Sequence, residues 1–448
     1  MYDTGDNIVA LATMAGKSAL NIVRVSGKCS EKFYQKLTQT SSKPKPNYCL
    51  PKNIYCNVSN AAIDHAMIIY YRGPKSFTGE DSLEIIVHGG SVIANQVIDV
   101  IINLGARLAS PGEFSYRAYL NNKIDLIQAE AIASIVSAEN NMDSYYHLNT
   151  IKGVLSKKII SCNVELNNII TVGEHELNFS DEEITITKAD KYIEMIQKLA
   201  LSIKKILEQS YTTEKPHSSI RVSIVGKPNA GKSSLFNLLI GKSRSIVTSE
   251  QGTTRDTVEA SVYIKNILVT LVDTAGIRTT KNKVELLGIE RSYREIKEAQ
   301  ILIVIDDNNP VKIKNKLKNI NKNIPCVLIR NKQDLKKTQV KSTSVFYLSC
   351  KEKTGINKIL TELYTLCKEH ENKFMESYLY LINSRQQKIL KEVNGGLNQS
   401  VSAYKQTKDI TILISYLYKA QKNFDTLLRP HEKDEILNNI FKGFCVGK

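Results

Sequence analysis

The apolar positions of this 448-residue chain change period several times. Up to about residue 118, apolar runs at 8–12, 20–25, 66–71 and 83–87 are bounded by polar turns and predict strands. Residues 91–104 carry helical spacing, and Pro111-Gly112-Glu113-Phe114 marks a turn. From Lys123 to about Tyr211 the pattern is helical: Leu126, Ala129, Ala133 and Val136 share one face, Ile127, Glu130 and Ser134 another, and residues 192–207 repeat the habit. Residues 212–219 are polar, contain Pro216 and read as a linker. Strand and helix patterns then alternate from 220 to about 376, through VSIVG, ILVTLVDT, ILIVID, PCVLIRNK and SVFYLSC, as in a doubly wound parallel sheet. Helical spacing returns after Glu376, over 381–390 and 410–428. These regimes predict a multidomain α/β chain: an α+β domain at 1–118, a helical part at 119–216, an inserted doubly wound domain at 217–376 and a second helical part at 377–448. The insertion requires the ends of the inserted domain to lie close together.

One stretch gives the alternating region its chemistry. The apolar run Val222 to Val225 breaks into Gly226-x-x-x-x-Gly231-Lys232-Ser233 and a helix start at Ser234, the strand, loop and helix that a phosphate-binding loop requires. Two glycines let backbone N–H groups and the helix N-terminus wrap a β-phosphate. Lys232 can reach the β/γ oxygens, and the Ser233 hydroxyl can ligate Mg²⁺. Asp273-Thr274-Ala275-Gly276 follows an apolar strand, bringing a carboxylate near Mg²⁺ and an N–H near the γ-phosphate. In Asn331-Lys332-Gln333-Asp334 the last carboxylate can accept from guanine N1–H and its 2-amino group. Adenine lacks that donor pair, so Asp334 selects GTP over ATP. Ser349-Cys350-Lys351 stands where the final base-contacting loop falls. Gly252-Thr253-Thr254-Arg255-Asp256 is a switch candidate, with Thr254 offering its hydroxyl to Mg²⁺. The expected GTP-contacting set is completed by Asn229 and Ala230 in the phosphate loop and by Thr248, Ser249, Glu250 and Gln251 ahead of the switch.

Hydrolysis needs a further device. Where Ras-like enzymes carry a glutamine after the D-x-x-G motif, this chain has Ile277, which cannot orient water. Asn229 can ligate a monovalent cation together with carbonyls from residues 248–252, placing positive charge at the β/γ bridge. Glu285 can orient the attacking water, although on its own it reads rather as a solvated acidic residue.

Composition narrows the field less. Sixty-one Lys and Arg against 45 Asp and Glu give +16, which suits a polyanion such as RNA. Segments such as VKIKNKLKNINKN at 311–323 account for that excess equally well as general Lys, Asn and Ile richness, so charge alone does not establish RNA binding. The eight cysteines, at 29, 49, 56, 162, 326, 350, 367 and 445, form no C-x-x-C pair or Cys/His metal spacing, as expected of free thiols in a reducing cytosol. His175-Glu176 lacks the second histidine of a zinc-protease motif, because Phe179 stands there. Asp3 and Asp6 replace the basic start of a signal peptide, and apolar runs such as 301–305 are too short to span a bilayer, so a cytoplasmic protein without membrane attachment is expected. Cys445 sits four residues from the end, but Gly447 and Lys448 do not fit a prenylation signal.

Embedded charges mark the N-terminal region: Arg24 between Val23 and Val25, Glu84 after Leu83, and Lys123. Each is either turned to solvent or paired in a site; taken singly, the solvent-facing arrangement is expected.

Together with other strings, these residues resemble the MnmE (TrmE) family of tRNA modification GTPases. The matching residues are Ile8-Val9-Ala10 with Arg24 and Ser26-Gly27; Phe77-Thr78-Gly79-Glu80-Asp81 with Glu84 and His88-Gly89-Gly90; Pro111-Gly112-Glu113-Phe114; Lys123, Asp125 and Gln128-Ala129-Glu130-Ala131-Ile132; the phosphate loop with Asn229; GTTRD; DTAG; and terminal Cys445-x-Gly447-Lys448. The phosphate loop is common to many GTPases, whereas the N-terminal strings with a terminal Cys-x-Gly-Lys are far more specific. The resemblance implies an N-terminal α+β folate-binding-like domain that dimerises, a central helical domain and an inserted Ras-like G domain. It implies a 5-formyltetrahydrofolate-type one-carbon donor held by Arg24, Glu84, Lys123 and Lys448. It further implies K⁺ held by Asn229, Thr248, the Glu250 carbonyl and Thr253, Mg²⁺ held by Ser233 and Thr254, and Glu285 orienting water. In partnership with the FAD-dependent MnmG, in a heterotetramer, the family installs a carboxymethylaminomethyl or aminomethyl group on carbon 5 of the wobble uridine of certain tRNAs. The chain departs from the family at Thr13–Asn21, where a Pro- and Gly-rich stretch is usual, at Cys350, where Ala is common, and at Val446 in place of Ile. The competing expectation is a ribosome-assembly or regulatory GTPase that switches without modifying RNA. Such a protein normally carries an added RNA-binding module, which is not found here.

Overall fold

The computed structural model describes residues 5–138, 140–178, 189–212, 219–242, 244–245, 258–273, 295–317, 323–335, 344–429, 435–444 and 447. Two compact units share the chain: one comprises Met1–Ser137, His147–Glu208 and Arg385–Lys448, the other Ala138–Tyr146 and Gln209–Ser384.

The first unit contains a six-stranded sheet of β1 (Asn7–Leu11), β2 (Leu20–Ser26), β3 (Cys49–Tyr55), β4 (Ala62–Tyr71), β5 (Ser82–His88) and β6 (Ala106–Leu108), in the order β3-β4-β5-β2-β1-β6. Neighbours are antiparallel except β1 and β6. Alternation sorts the faces. Val23, Val25, Leu83, Ile85 and Val87 enter a core with Phe33, Leu37, Ala94, Val97 and Ile101 from helices Ser30–Thr38 and Ser91–Asn103. Arg24 and Glu84, one residue out of phase, point to the opposite face as registered partners.

Pro111-Gly112 opens helix Glu113–Leu120 rather than a free turn: Gly112 is left-handed, at φ 72°, and Glu113 through Tyr119 are all buried. A helix buried on every side carries no amphipathic period, which is why the spacing showed only a turn. A Cβ on Gly112 would stand 2.3 Å from the Phe441 carbonyl, so only glycine lets the C-terminal helix Glu435–Lys442 pack there. Leu437, Phe441 and Phe444 fill a cluster with Tyr116, Tyr119 and Leu126. The helical part includes Leu126–Ser134, Val154–Asn178, Ala189–Glu208, Ser384–Thr407 and Ile410–Leu428, with Val154–Asn178 packed on both Ala189–Glu208 and Ile410–Leu428.

In the second unit, β7 (Ser210–Thr212) pairs in parallel with a strand at Tyr380–Ile382, so residues 210–211 and 381–382, which helical spacing had claimed, are extended. Tyr211 and Leu381 on these strands pack with Met142 and Tyr146, and that burial overrides the local period. The main sheet has seven strands: β8 (Ile220–Gly226), β9 (Arg244–Ser245), β10 (Val258–Ile264), β11 (Ile267–Asp273), β12 (Ile301–Asp306), β13 (Cys326–Arg330) and β14 (Phe346–Tyr347). Their order is β14-β13-β12-β8-β11-β10-β9, parallel from β14 to β11, with β10 and β9 antiparallel at one edge. β12 and β13 read as near-continuous apolar runs because both faces of a parallel sheet are covered.

Candidate functional site

Strand β8 lies between β11 and β12: the chain runs from β8 to one side as far as β11, and the connection from β11 to β12 then crosses to the other. That is the switch point at which doubly wound sheets bind ligands, outside the carboxyl ends of the strands. The residues ending β8, β11, β12 and β13 are Gly226, Asp273, Asp306 and Arg330, and the predicted chemistry gathers there.

A Cβ on Gly226 would lie 2.1 Å from the Ile305 carbonyl, so only glycine permits β8 to leave the sheet at that point. Asn229 and Gly231 adopt φ of 58° and 98°. Lys232 begins helix Lys232–Lys242, is 9% exposed, and donates from Nζ to the carbonyls of Gly226 and Lys227 at 3.0 and 2.8 Å. Burial pushes its ammonium below the ordinary lysine value, while the Asp273 carboxylate works the other way. Asp273 is 2% exposed. Ser233 is exposed on the first turn of the helix and Ala230 is buried beneath the loop. An oxygen set of one hydroxyl and one carboxylate at the switch point fits Mg²⁺.

The residues expected to read the base are held from the other side. Asn331, 3% exposed, donates from Nδ2 to the Ala230 carbonyl at 2.9 Å and accepts from the Cys350 N–H at 3.2 Å, tying the phosphate loop to both segments expected to contact the base. Ser349 Oγ donates to Asp334 Oδ1 at 2.7 Å, and this bond holds the carboxyl below its ordinary value. The 349–354 turn is closed by reciprocal backbone bonds of 3.2 Å between Ser349 and Thr354. Lys332 takes φ of 60° and reaches Asp307 at 3.6 Å. Burial pushes the Cys350 thiol up to about 11. Thr248, Ser249, Glu250, Gln251, Gly252, Thr253, Thr254, Thr274, Ala275, Gly276 and Glu285 lie outside the described residues, so of the four expected K⁺ donors only Asn229 is described.

In the first unit Arg24 and Glu84 are paired with each other and half-buried, whereas Lys123 is exposed, as expected of it singly. Arg24 Nε and Nη2 donate to Glu84 Oε1 at 3.0 and 2.7 Å, Arg24 Nη1 donates to the Gly447 carbonyl at 3.1 Å, and Tyr71 OH donates to Glu84 Oε2 at 3.3 Å. The Arg24 guanidinium lies 5.9 Å from the ring centroids of both Phe77 and Phe114. Lys123 donates from Nζ to the Pro74 carbonyl at 2.8 Å. Lys448 lies outside the described residues, next to Gly447. Guanidinium, carboxylate, amine and an exposed aromatic ring together fit an anionic heteroaromatic ligand.

Beside this pair lies a charge network that the sequence reading did not single out as a site. Arg117, fully buried, bridges Asp6 at 2.6 Å, Glu113 at 3.0 Å and Glu80 at 3.1 Å. Arg107 joins the same Asp6 and Glu113, the latter at 2.6 Å. Glu80 and Glu113 fall within strings carrying the family resemblance; the usable signal was charge in an otherwise buried segment. Among the described residues no group of three or more His, Cys, Asp or Glu could hold a metal ion, and no helix is long and apolar enough to cross a membrane.

A phosphate-binding loop at the switch point of a doubly wound sheet, inserted into a chain with its own α+β and helical parts, defines a multidomain P-loop protein. Residues 7–123 match the family described as GTP-binding protein TrmE N-terminus, and residues 126–445 match the MnmE helical domain. The chain is 35% identical over 449 residues to the tRNA modification GTPase MnmE of Aquifex aeolicus, covering 98% of this chain and 99% of that one. The tRNA modification GTPase MnmE of Thermotoga maritima is 33% identical, over 99% of this chain and all of its own. The chain belongs to the MnmE (TrmE) family. The G domain of the T. maritima FeoB iron transporter is 21% identical and covers 33% of this chain and 98% of its own, with a TM-score of 0.27, too slight a likeness to bear on the fold.

Proposed function

We propose that this protein hydrolyses GTP in the service of tRNA modification. The observation that carries the reading is Asp334, fixed by Ser349 beside the Asn331 that braces the phosphate loop, in a chain matched along its length by proteins named tRNA modification GTPase MnmE. Asp334 reads guanine, Lys232 neutralises β/γ-phosphate charge, and Ser233 and Thr254 hold Mg²⁺, which shields the triphosphate. Asn229, Thr248, the Glu250 carbonyl and Thr253 hold K⁺, taking the part that arginine or glutamine plays elsewhere, and Glu285 orients the attacking water.

In the finer reading, 1–118 binds a 5-formyltetrahydrofolate-type donor through Arg24, Glu84, Lys123 and Lys448 and forms a homodimer. The helical parts at 119–216 and 377–448 carry the inserted G domain at 217–376. With an FAD-dependent MnmG-type partner, in a cytoplasmic heterotetramer, the protein installs a carboxymethylaminomethyl or aminomethyl group at carbon 5 of the tRNA wobble uridine. Support comes from the family membership and from the paired, half-buried Arg24 and Glu84.

Mass spectrometry of wobble nucleosides from cells lacking the protein tests the whole. Loss of the modified uridine is expected; unchanged nucleosides would favour a regulatory GTPase switch. Turnover measured in K⁺ and then in Na⁺ tests the cation: equal rates would remove K⁺ from the mechanism. Glu285→Ala is expected to slow hydrolysis strongly with GTP affinity retained.

A further inference from the structure

The loop between β4 and β5 forms one wall of the Arg24–Glu84 site. It presents Phe77, 43% exposed, beside the Arg24 guanidinium, and its Pro74 carbonyl receives the Lys123 ammonium. Part of its hold is internal: the Gly73 N–H donates to Asp81 Oδ1 at 2.8 Å, the Lys75 N–H to the Arg72 carbonyl at 2.9 Å, and Ser76 Oγ to the Glu80 carbonyl. A Cβ on Gly73 would meet the Gly79 carbonyl at 2.8 Å, so the two limbs of the loop close on each other, and outside groups fix the rest. Ser26 Oγ lies 2.7 Å from Thr78 Oγ1 and donates to Glu80 Oε2 at 2.7 Å. Asn121 Nδ2 donates to the Thr78 carbonyl at 2.7 Å. Glu80 also accepts from Arg117 Nη1 at 3.1 Å, which joins the loop to Asp6 and Glu113 and so to β1 and helix Glu113–Leu120.

We propose that Glu80 is a positioning residue for this site: its carboxylate, gripped by Arg117 and Ser26, sets the loop in the binding-competent position before ligand arrives. Arg117 has no room to move, being fully buried among carboxylates, so it acts as a fixed post. A loop held in place in advance does not have to be ordered at the moment of binding, and affinity rises by that saving. The inference rests on reading the site as one for a reduced-folate one-carbon donor.

The test titrates full-length wild-type protein and Glu80→Gln with 5-formyltetrahydrofolate by calorimetry, alongside amide hydrogen exchange of residues 73–81 and thermal melting. The expected result is binding weakened about tenfold or more in Glu80→Gln, faster exchange across the loop without ligand, and slow exchange restored by saturating ligand, at a nearly unchanged melting temperature. Asn121→Ala, which removes an exposed tie to the same loop, is expected to weaken binding several-fold and guards against a Glu80 variant that fails to fold. Wild-type binding with no loss in either variant overturns the positioning role and leaves the ligand assignment standing. A fall in melting temperature with ligand unable to restore slow exchange assigns Glu80 to general stability and also overturns it. No heat with wild type overturns the ligand assignment and this inference together.

Discussion

The side-chain amide of Asn331 fills the space that a Cβ on Gly231 would need, lying 2.2 Å from that position. The phosphate loop and the Asn331–Asp334 segment proposed to read the base are therefore packed against each other, and the amide completes the contact by donating to Ala230.

Gly231→Ala meets both that clash and a backbone at φ 98°, and neighbouring Asn331 cannot give way without releasing Ala230. We expect guanine-nucleotide affinity to fall by about 100-fold or more, measured with a fluorescent GDP analogue, since strain plus a lost buried hydrogen bond amounts to roughly 3 kcal/mol. Gly241→Ala, in the helix that follows, meets nothing within 4 Å and is expected to stabilise the protein by about 0.5–1 kcal/mol in chemical denaturation.

Asp334→Asn keeps the size of the side chain and exchanges an acceptor for a donor. Two hydrogen bonds to a carboxylate at about 1.5–3 kcal/mol each put the loss of GTP affinity at roughly 10²–10⁴-fold. Xanthosine triphosphate, which carries a carbonyl where guanine has its amino group, is expected to gain affinity in the same competition assay.

Asp6 sets an acid limit on the first unit. Burial pushes its carboxyl up, but hydrogen bonds from Arg107 and Arg117 outweigh this and hold it below its ordinary 3.8. A carboxyl lowered in the folded state adds stability that is complete above its unfolded value and is lost as pH falls through the folded one. The melting temperature of wild type is therefore expected to drop faster than that of Asp6→Asn as pH falls below about 4.

Arg385 forks onto Glu130 at 2.8 and 3.0 Å, with Gln386 Nε2 donating to the same carboxylate at 2.6 Å. Arg385→Met leaves a largely buried carboxylate without its counter-charge and is expected to cost about 3 kcal/mol in denaturant unfolding. Removing both charges, in Arg385→Met with Glu130→Gln, is expected to recover part of that loss.

The legible parts of the chain were those whose pattern is enforced by one periodic environment. β8, β11, β12 and β13 are covered on both faces and announce themselves as apolar runs, and the phosphate loop follows β8 as its spacing requires. β3 contains Pro51 and is mostly exposed or half-buried, so nothing in its residues separates it from a loop; its pairing with β4 is a long-range fact. Ser210 and Tyr211 read as the tail of a helix, and Thr212 as the start of a linker, until Tyr380–Ile382 arrives beside them. In the N-terminal site, Arg24 and Glu84 were visible as misplaced charges, but that they face each other depends on the β2–β5 register. Arg117 was hidden for a related reason: its three carboxylate partners come from positions 6, 80 and 113.

Gly112 seats a helix that begins at Glu435, and the Gly447 carbonyl receives Arg24. Arg24 and Gly112 thus wait for residues 435–447: on the ribosome, all of Gln209–Ser384 emerges before these contacts of the first unit can form. A chain cut before Glu435 would leave Tyr116 and Tyr119 without the Phe441 ring that packs on them.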